Sequence, residues 1–201
     1  MIAELCSDDG AEPELHDLLA AVAEHEGANP TPEDLEHGAQ FIRAYIEQVP
    51  YMVKVAWTSA ANVGLQSQML QILETVESYW IEGDDVIPDD LGIIGLLDDA
   101  YCSLTSLQAV SDHYRLQTGK HLFPNDLTAA NKAMRKIIGE PYAPELDRIV
   151  IRTMTETGLI EAVKALANEE KRLNFATNST IWSHSPAGEL DIADLKKLGL
   201  L

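Results

Sequence analysis

Apolar residues recur along most of the chain at intervals of three and four, the spacing that lines one face of an α-helix. Leu15, Leu18, Leu19 and Val22 follow Pro13 in this way and predict a first helix over about 13–26. The run Gly27-Ala-Asn-Pro-Thr-Pro32 ends it. Thr31, Pro32 and Asp34 then supply an N-cap, a first-turn proline and a capping-box acid for the next helix. Its stripe is Phe41, Ile42, Tyr45, Ile46 and Val49, and the missing amide donor of Pro50 predicts a stop there. Between Tyr51 and Trp80 the pattern resumes, with Val53, Trp57, Ala60, Ala61 and Gly64 on one side. Met69, Ile72, Leu73, Val76 and Trp80 follow, and Gly64 is placed to divide the segment.

Beyond an acidic, glycine-containing stretch at 85–99, a helix is predicted from about 93 to 116 or 117, closed by Gly119. Leu97, Ala100, Tyr101, Leu104, Leu107 and Val110 set its buried face. Further helices are predicted over about 126–138 and 145–172, the latter breaking at Gly158. Residues 174–188, rich in Asn, Ser, Thr and Pro, read as a loop before a short helix near 189–198. The fold class is therefore all-α: a compact bundle of about seven helices with an acidic Pro/Gly turn and a short C-terminal tail helix. Residues 1–173 make the single helical domain and 174–201 the appended tail. A chain of 201 residues with 46% hydrophobic content suffices for one core, and 6% aromatics suit helices better than a β-sandwich.

Charge sharpens the picture. The net charge is −19, and residues 1–100 hold 21 Asp plus Glu against only Arg43 and Lys54, whereas 101–201 hold 12 of each sign. Such a field repels a phosphate backbone, which argues against direct nucleic-acid binding and favours a protein partner with a basic surface. The N-terminus M-I-A-E-L-C-S-D-D-G lacks a basic n-region and an apolar h-region, so cytoplasmic residence is expected. The uncharged run Val55–Leu73 is too rich in Gln, Ser, Thr and Asn for a spanning helix and is read as packed in protein. A monotopic membrane contact is the weaker alternative, since nearby basic residues that would attract anionic lipid are missing. Cys6 and Cys102 offer no disulfide framework.

The densest signature is Asp85-x-Ile87-Pro88-Asp89 followed by Ile94-Gly95-x-Leu97-Asp98-Asp99. It resembles the hallmark of the YkvA-like domains, small helical modules of no settled activity, some of them in membrane-associated proteins. The resemblance covers about 71–117 and implies a helical module rather than a particular chemistry. Family members commonly carry an apolar residue where this chain has Asp90, and often a proline in place of Gly92, so the turn here is more acidic and more flexible. Read from the residues alone, Asp84, Asp85, Asp89 and Asp90 belong to a turn entering a helix, where carboxylates accept from free N–H groups and oppose the helix dipole. On this reading Asp89 and Asp90 cap the motif helix, and the four acids are candidates for binding a partner. The alternative is a divalent-cation site for Mg²⁺, Mn²⁺ or Ca²⁺ built from Asp85, Asp89, Asp98 and Asp99.

Complete catalytic constellations are not found. No EF-hand register, D-D-x-x-D motif, phosphate-binding glycine loop or G-x-S-x-G elbow occurs, and Cys102 lies one turn after Asp98, where negative charge raises a thiol pKa. Glu12 with His16 and Glu33 with His37 are read as surface pairs, His113 as a helix-end residue, and Trp57, Trp80 and Trp182 as core or tail anchors. The leading expectation is a non-catalytic acidic binding or regulatory module needing no cofactor, one variant being an inhibitor that occupies a basic surface. A metal-dependent enzyme using the Asp cluster is the alternative.

Overall fold

The computed structural model describes residues 11–82, 86–87, 93–166 and 196–201. Seven helices account for nearly all of these: α1 (Ala11–His25), α2 (Pro32–Val63), α3 (Gln66–Glu82), α4 (Gly95–Thr118), α5 (Thr128–Ile138), α6 (Tyr142–Glu156) and α7 (Leu159–Leu166). They form an all-α bundle organised around α4, which packs against α2, α3, α5, α6 and α7. The helix at the centre is buried on nearly every side. The predicted stripe of Leu97, Ala100, Tyr101, Leu104, Leu107 and Val110 is inside, and so are Asp98, Asp99, Ser103, Ser106, Gln108 and Ser111. Those polar groups must find partners within the protein. Gln108 shows how: its Oε1 accepts the Leu127 N–H at 2.8 Å, fixing the loop that leads into α5.

The start of α2 follows the sequence reading closely. Thr31 Oγ1 accepts from the Asp34 N–H at 3.2 Å, Asp34 Oδ2 accepts from the Thr31 N–H at 3.0 Å, and Pro32 occupies the first turn. The end of that helix does not. Helix α2 runs through Pro50 and stops only at Gly64, whose φ of 77° provides the left-handed cap. Pro50 lies on the exposed side while Ile46, Val49 and Met52 bury around it, so packing on both sides outweighs one forfeited hydrogen bond. Because the helix is continuous, the phase of its stripe is too. The seam passes from Tyr45 through Val49, Met52, Ala56 and Ala60, and Trp57, expected as an anchor, is 37% exposed.

Elsewhere the differences are smaller. Gly119 closes α4, and Gly158, with φ 64°, divides the predicted 145–172 helix into α6 and α7. The N-cap of α4 is Ile94, without a side-chain cap bond, and Asp89 and Asp90, expected as caps, lie outside the described residues. The loop expected over 174–188 and most of the 189–198 helix lie outside the described residues, as does Trp182. At the C-terminus, Leu198 and Leu200 are fully buried.

Two acids of the first half meet cations from the second. Lys136 Nζ stands 2.6 Å from Glu26 Oε2, and Lys197 Nζ 3.3 Å from Asp34 Oδ1. The hydrogen bond from Lys136 lowers the pKa of Glu26, and those from Thr31, assisted by Lys197, lower that of Asp34. A carboxyl whose folded pKa is depressed leaves the unfolded chain binding more protons through the carboxylate range. These contacts therefore stabilise the fold above the ordinary carboxyl pKa, near ~4, and lose that effect as pH falls toward the folded values. The paired variant Glu26→Gln and Asp34→Asn is expected to flatten the acid limb of stability against pH in urea melts at stepped pH. An unchanged limb would assign acid sensitivity to other carboxylates.

Candidate functional site

The acidic turn meets the bundle through Asp98, which sits in the first turn of α4 with no solvent exposure. Its Oδ2 accepts the Ile87 N–H at 3.0 Å and its Oδ1 the Asp99 N–H at 3.0 Å. The carboxylate therefore acts as a peg for the Ile87 backbone, and Ile87 and Ile93 are both buried. Asp99, one residue on, is rotated about 100° around the helix and is also buried. Its carbonyl accepts from Ser103 Oγ at 2.7 Å, and Ser103 Oγ in turn accepts from Trp80 Nε1 at 2.9 Å. Trp80 thus ties α3 to the same end of α4.

Of the acids expected to converge on a cation, Asp85 and Asp89 lie outside the described residues, as do Asp84 and Asp90 of the partner set. Among the described residues no group of three or more His, Cys, Asp or Glu side chains is placed to hold a metal ion. Asp98 is committed to backbone donors, and its neighbour Cys102 is a buried free thiol. Burial above all, then Asp98, Asp99 and Asp147, push the Cys102 pKa up, which suppresses the thiolate a nucleophile requires.

Two sets of polar contacts, one buried and one reaching the surface, cross between helices of the bundle and were not evident from spacing. Tyr45 Oη donates to Asn131 Oδ1 at 2.7 Å, linking α2 to α5. Tyr101 Oη donates to Asp147 Oδ1 at 2.7 Å, and Asp147 Oδ2 accepts from Arg135 Nε at 2.8 Å, linking α4, α6 and α5. Burial raises the pKa of both phenols, reinforced at Tyr45 by Tyr101 and at Tyr101 by Asp147. Each phenol serves as a donor, and the arrangement joins helices. The one available sequence signal was Asn131, a polar residue among Ala129, Ala130 and Ala133 on the apolar side of a helix.

On the outside, α3, like α1, carries acids and no Lys or Arg. Glu74 and Glu77 are exposed, and α3 borders α6 along an open cleft of about 360 Å³ lined by Gln71, Glu74, Thr75, Ser78, Glu156 and Thr157. The three hydroxyls there donate to carbonyls of their own helices: Thr75 to Gln71, Ser78 to Thr75 and Thr157 to Thr153. What the cleft offers outward is therefore the two carboxylates and the Gln71 amide. Two cations of the second half are drawn elsewhere, Arg135 to Asp147 and Lys136 to Glu26. Folding thus pairs Glu26 and Asp34 with Lys136 and Lys197, and among the described residues no such pair involves Glu74 or Glu77 of α3, a division that the linear charge count conceals.

His16 Nε2 lies 3.3 Å from Glu36 Oε2 on the neighbouring helix, and the side chain of Glu12, its expected partner, lies outside the described residues. His113 is close to the end of α4, with Nε2 3.4 Å from the Ile160 carbonyl of α7. Among the described residues no helix is long and apolar enough to cross a membrane, and Val55–Leu73 is divided by the Gly64 turn between α2 and α3. No protein-family model, curated protein or solved structure matches the chain.

Proposed function

We propose that this protein is a non-catalytic docking module that engages a basic protein surface through α3 and the acidic turn following it. The observation that carries this reading is the cleft between α3 and the end of α6, where Glu74 and Glu156 face outward and no cation lines the walls. An open cleft of this kind suits Lys or Arg side chains presented by a partner better than an enclosed metabolite, which asks for a concave and largely apolar pocket. The resemblance of Asp85–Asp99 to the YkvA-like signature supports the same reading, as that family consists of small helical modules. The acids of the turn follow α3 directly in sequence, and the Asp98 bond to Ile87 lies at the same end of α4 as the Trp80 bond to Ser103.

The experiment compares wild type with a Glu74→Gln, Glu77→Gln, Glu156→Gln variant and a control carrying Asp17→Asn, Glu24→Gln and Glu161→Gln. Partners are recovered from the native host by affinity capture and then measured singly by association kinetics. Wild type and control are expected to associate at equal rates, at least tenfold faster in low salt than at ~0.5 M, where the Debye length is about 4 Å. The α3 variant is expected to have lost most of that salt dependence. Equal effects of the two sets, or kinetics indifferent to salt, would exclude α3 as the recognition face.

A further inference from the structure

The last six residues, Lys196–Leu201, are seated on the bundle in the manner of a bound peptide. Leu198 and Leu200 have no solvent exposure, although the backbone that carries them forms only a short turn. Leu198 fills a slot between α1 and α2 that exists because residue 38 is glycine. A β-carbon there would stand 2.7 Å from Leu198 Cδ1 and 2.9 Å from Leu19 Cδ1. Gly199 passes somewhat less closely by the end of α1, where a β-carbon would lie 3.1 Å from Glu26 Cβ, and its φ of 73° is one that glycine adopts without strain. The charges match as well: Lys197 meets Asp34, and Lys136, already paired with Glu26, donates to the Gly199 carbonyl at 3.1 Å.

Among the described residues the segment's backbone–backbone hydrogen bond is internal, from the Gly199 N–H to the Lys196 carbonyl. Its attachment rests on two leucine side chains and lysine-mediated contacts, the elements of a peptide–groove interface. In sequence, 29 residues separate the end of α7 from Lys196, a contour of up to about 100 Å, so covalent reach does not dictate whose groove the segment fills.

We propose that the Gly38 groove between α1 and α2 is a receptor for the C-terminal segment of a second copy of this chain, and that the seated tail is its self-occupied form. Every copy carries both halves of the interface, and the basic tail complements the acidic first half of any copy. The contacts are the same within one chain and between two, so exchange forfeits no contact energy and tethering alone sets the balance. Association between copies is then held low by self-occupancy and rises when the tail of one copy and the groove of another are left without their own partners.

Two full-length variants test this by complementation. Leu198→Ala with Leu200→Ala weakens the tail and leaves the groove intact, whereas Gly38→Leu blocks the groove and leaves the tail intact. By size-exclusion chromatography with light scattering, each alone is expected to be monomeric and the mixture to contain a one-to-one heterodimer. The tail variant is also expected to bind a synthetic Lys-Lys-Leu-Gly-Leu-Leu peptide saturably, at least tenfold more tightly than wild type. That measurement decides the matter if Gly38→Leu fails to fold. Absence of both heterodimer and peptide binding would overturn the proposal. Loss of helical circular dichroism in the tail variant would do so as well, because a separable ligand leaves its receptor folded. Peptide binding without heterodimer, with both variants folded, would assign the groove to a foreign segment rather than a second copy.

Discussion

Truncating Tyr45 to Ala is expected to lower the unfolding free energy by about 3–5 kcal/mol, the range for removal of a large buried aromatic side chain. The ring is fully buried on α2, in the core that also encloses α4 and α5, and neighbouring side chains fixed on three helices have little freedom to collapse into the space. The hydroxyl is a separate and smaller matter. Tyr45→Phe keeps the packing but deprives Asn131 of its donor at 2.7 Å, which should cost about 1–2 kcal/mol. For a chain of this length each kcal/mol moves the melting temperature by roughly 2–4 °C, so the two variants are separable by calorimetry. Equal losses from Phe and Ala would mean that the Tyr45–Asn131 bond, rather than the ring, holds α2 to α5.

Asp98→Ala is expected to have the second largest effect, about 1–3 kcal/mol, because it strands the buried Ile87 N–H without an acceptor. The Asp99 N–H is less affected, as an amide within α4 can turn to its own helix. Asp98→Asn preserves one acceptor oxygen and should cost about half as much. The change ought also to be local: hydrogen exchange at Ile87 should accelerate far more than exchange in the middle of α4. If the cost vanished in Asp98→Ala, or if millimolar Mg²⁺, Mn²⁺ or Ca²⁺ raised the wild-type melting temperature and not that of the variant, the carboxylate would be a ligand and not a peg. The distinction bears on the proposed function, since Asp98 is what holds Ile87, within the acidic stretch, to the start of α4.

Several features could be read directly from the chain because their causes are local. The capping box at Thr31 and Asp34 needs only residues three apart, and the terminators Gly64, Gly119 and Gly158 need only a backbone that tolerates positive φ. Helical periodicity was enough for the all-α class and for most element bounds. The negative direction of charge near Cys102 was also legible from the spacing of Asp98, although burial proved the larger cause of the raised thiol pKa.

Tertiary structure alone decided the rest, because the causes are contacts between residues far apart in sequence. Pro50 disrupts an isolated helix, and only the burial of Ile46, Val49 and Met52 against the bundle lets α2 continue through it and turns Trp57 outward. Asp98 and Asp99 look alike in a list of acids, yet the fold engages one as the anchor of a loop eleven residues earlier and rotates the other away. The excess negative charge of the first half was apparent from counting. Which part of it stays uncompensated depends on where Lys136 and Lys197 arrive, and they arrive at Glu26 and Asp34 through contacts spanning more than a hundred residues. Local interactions thus specify the helices, whereas long-range packing and charge pairing select the faces they present.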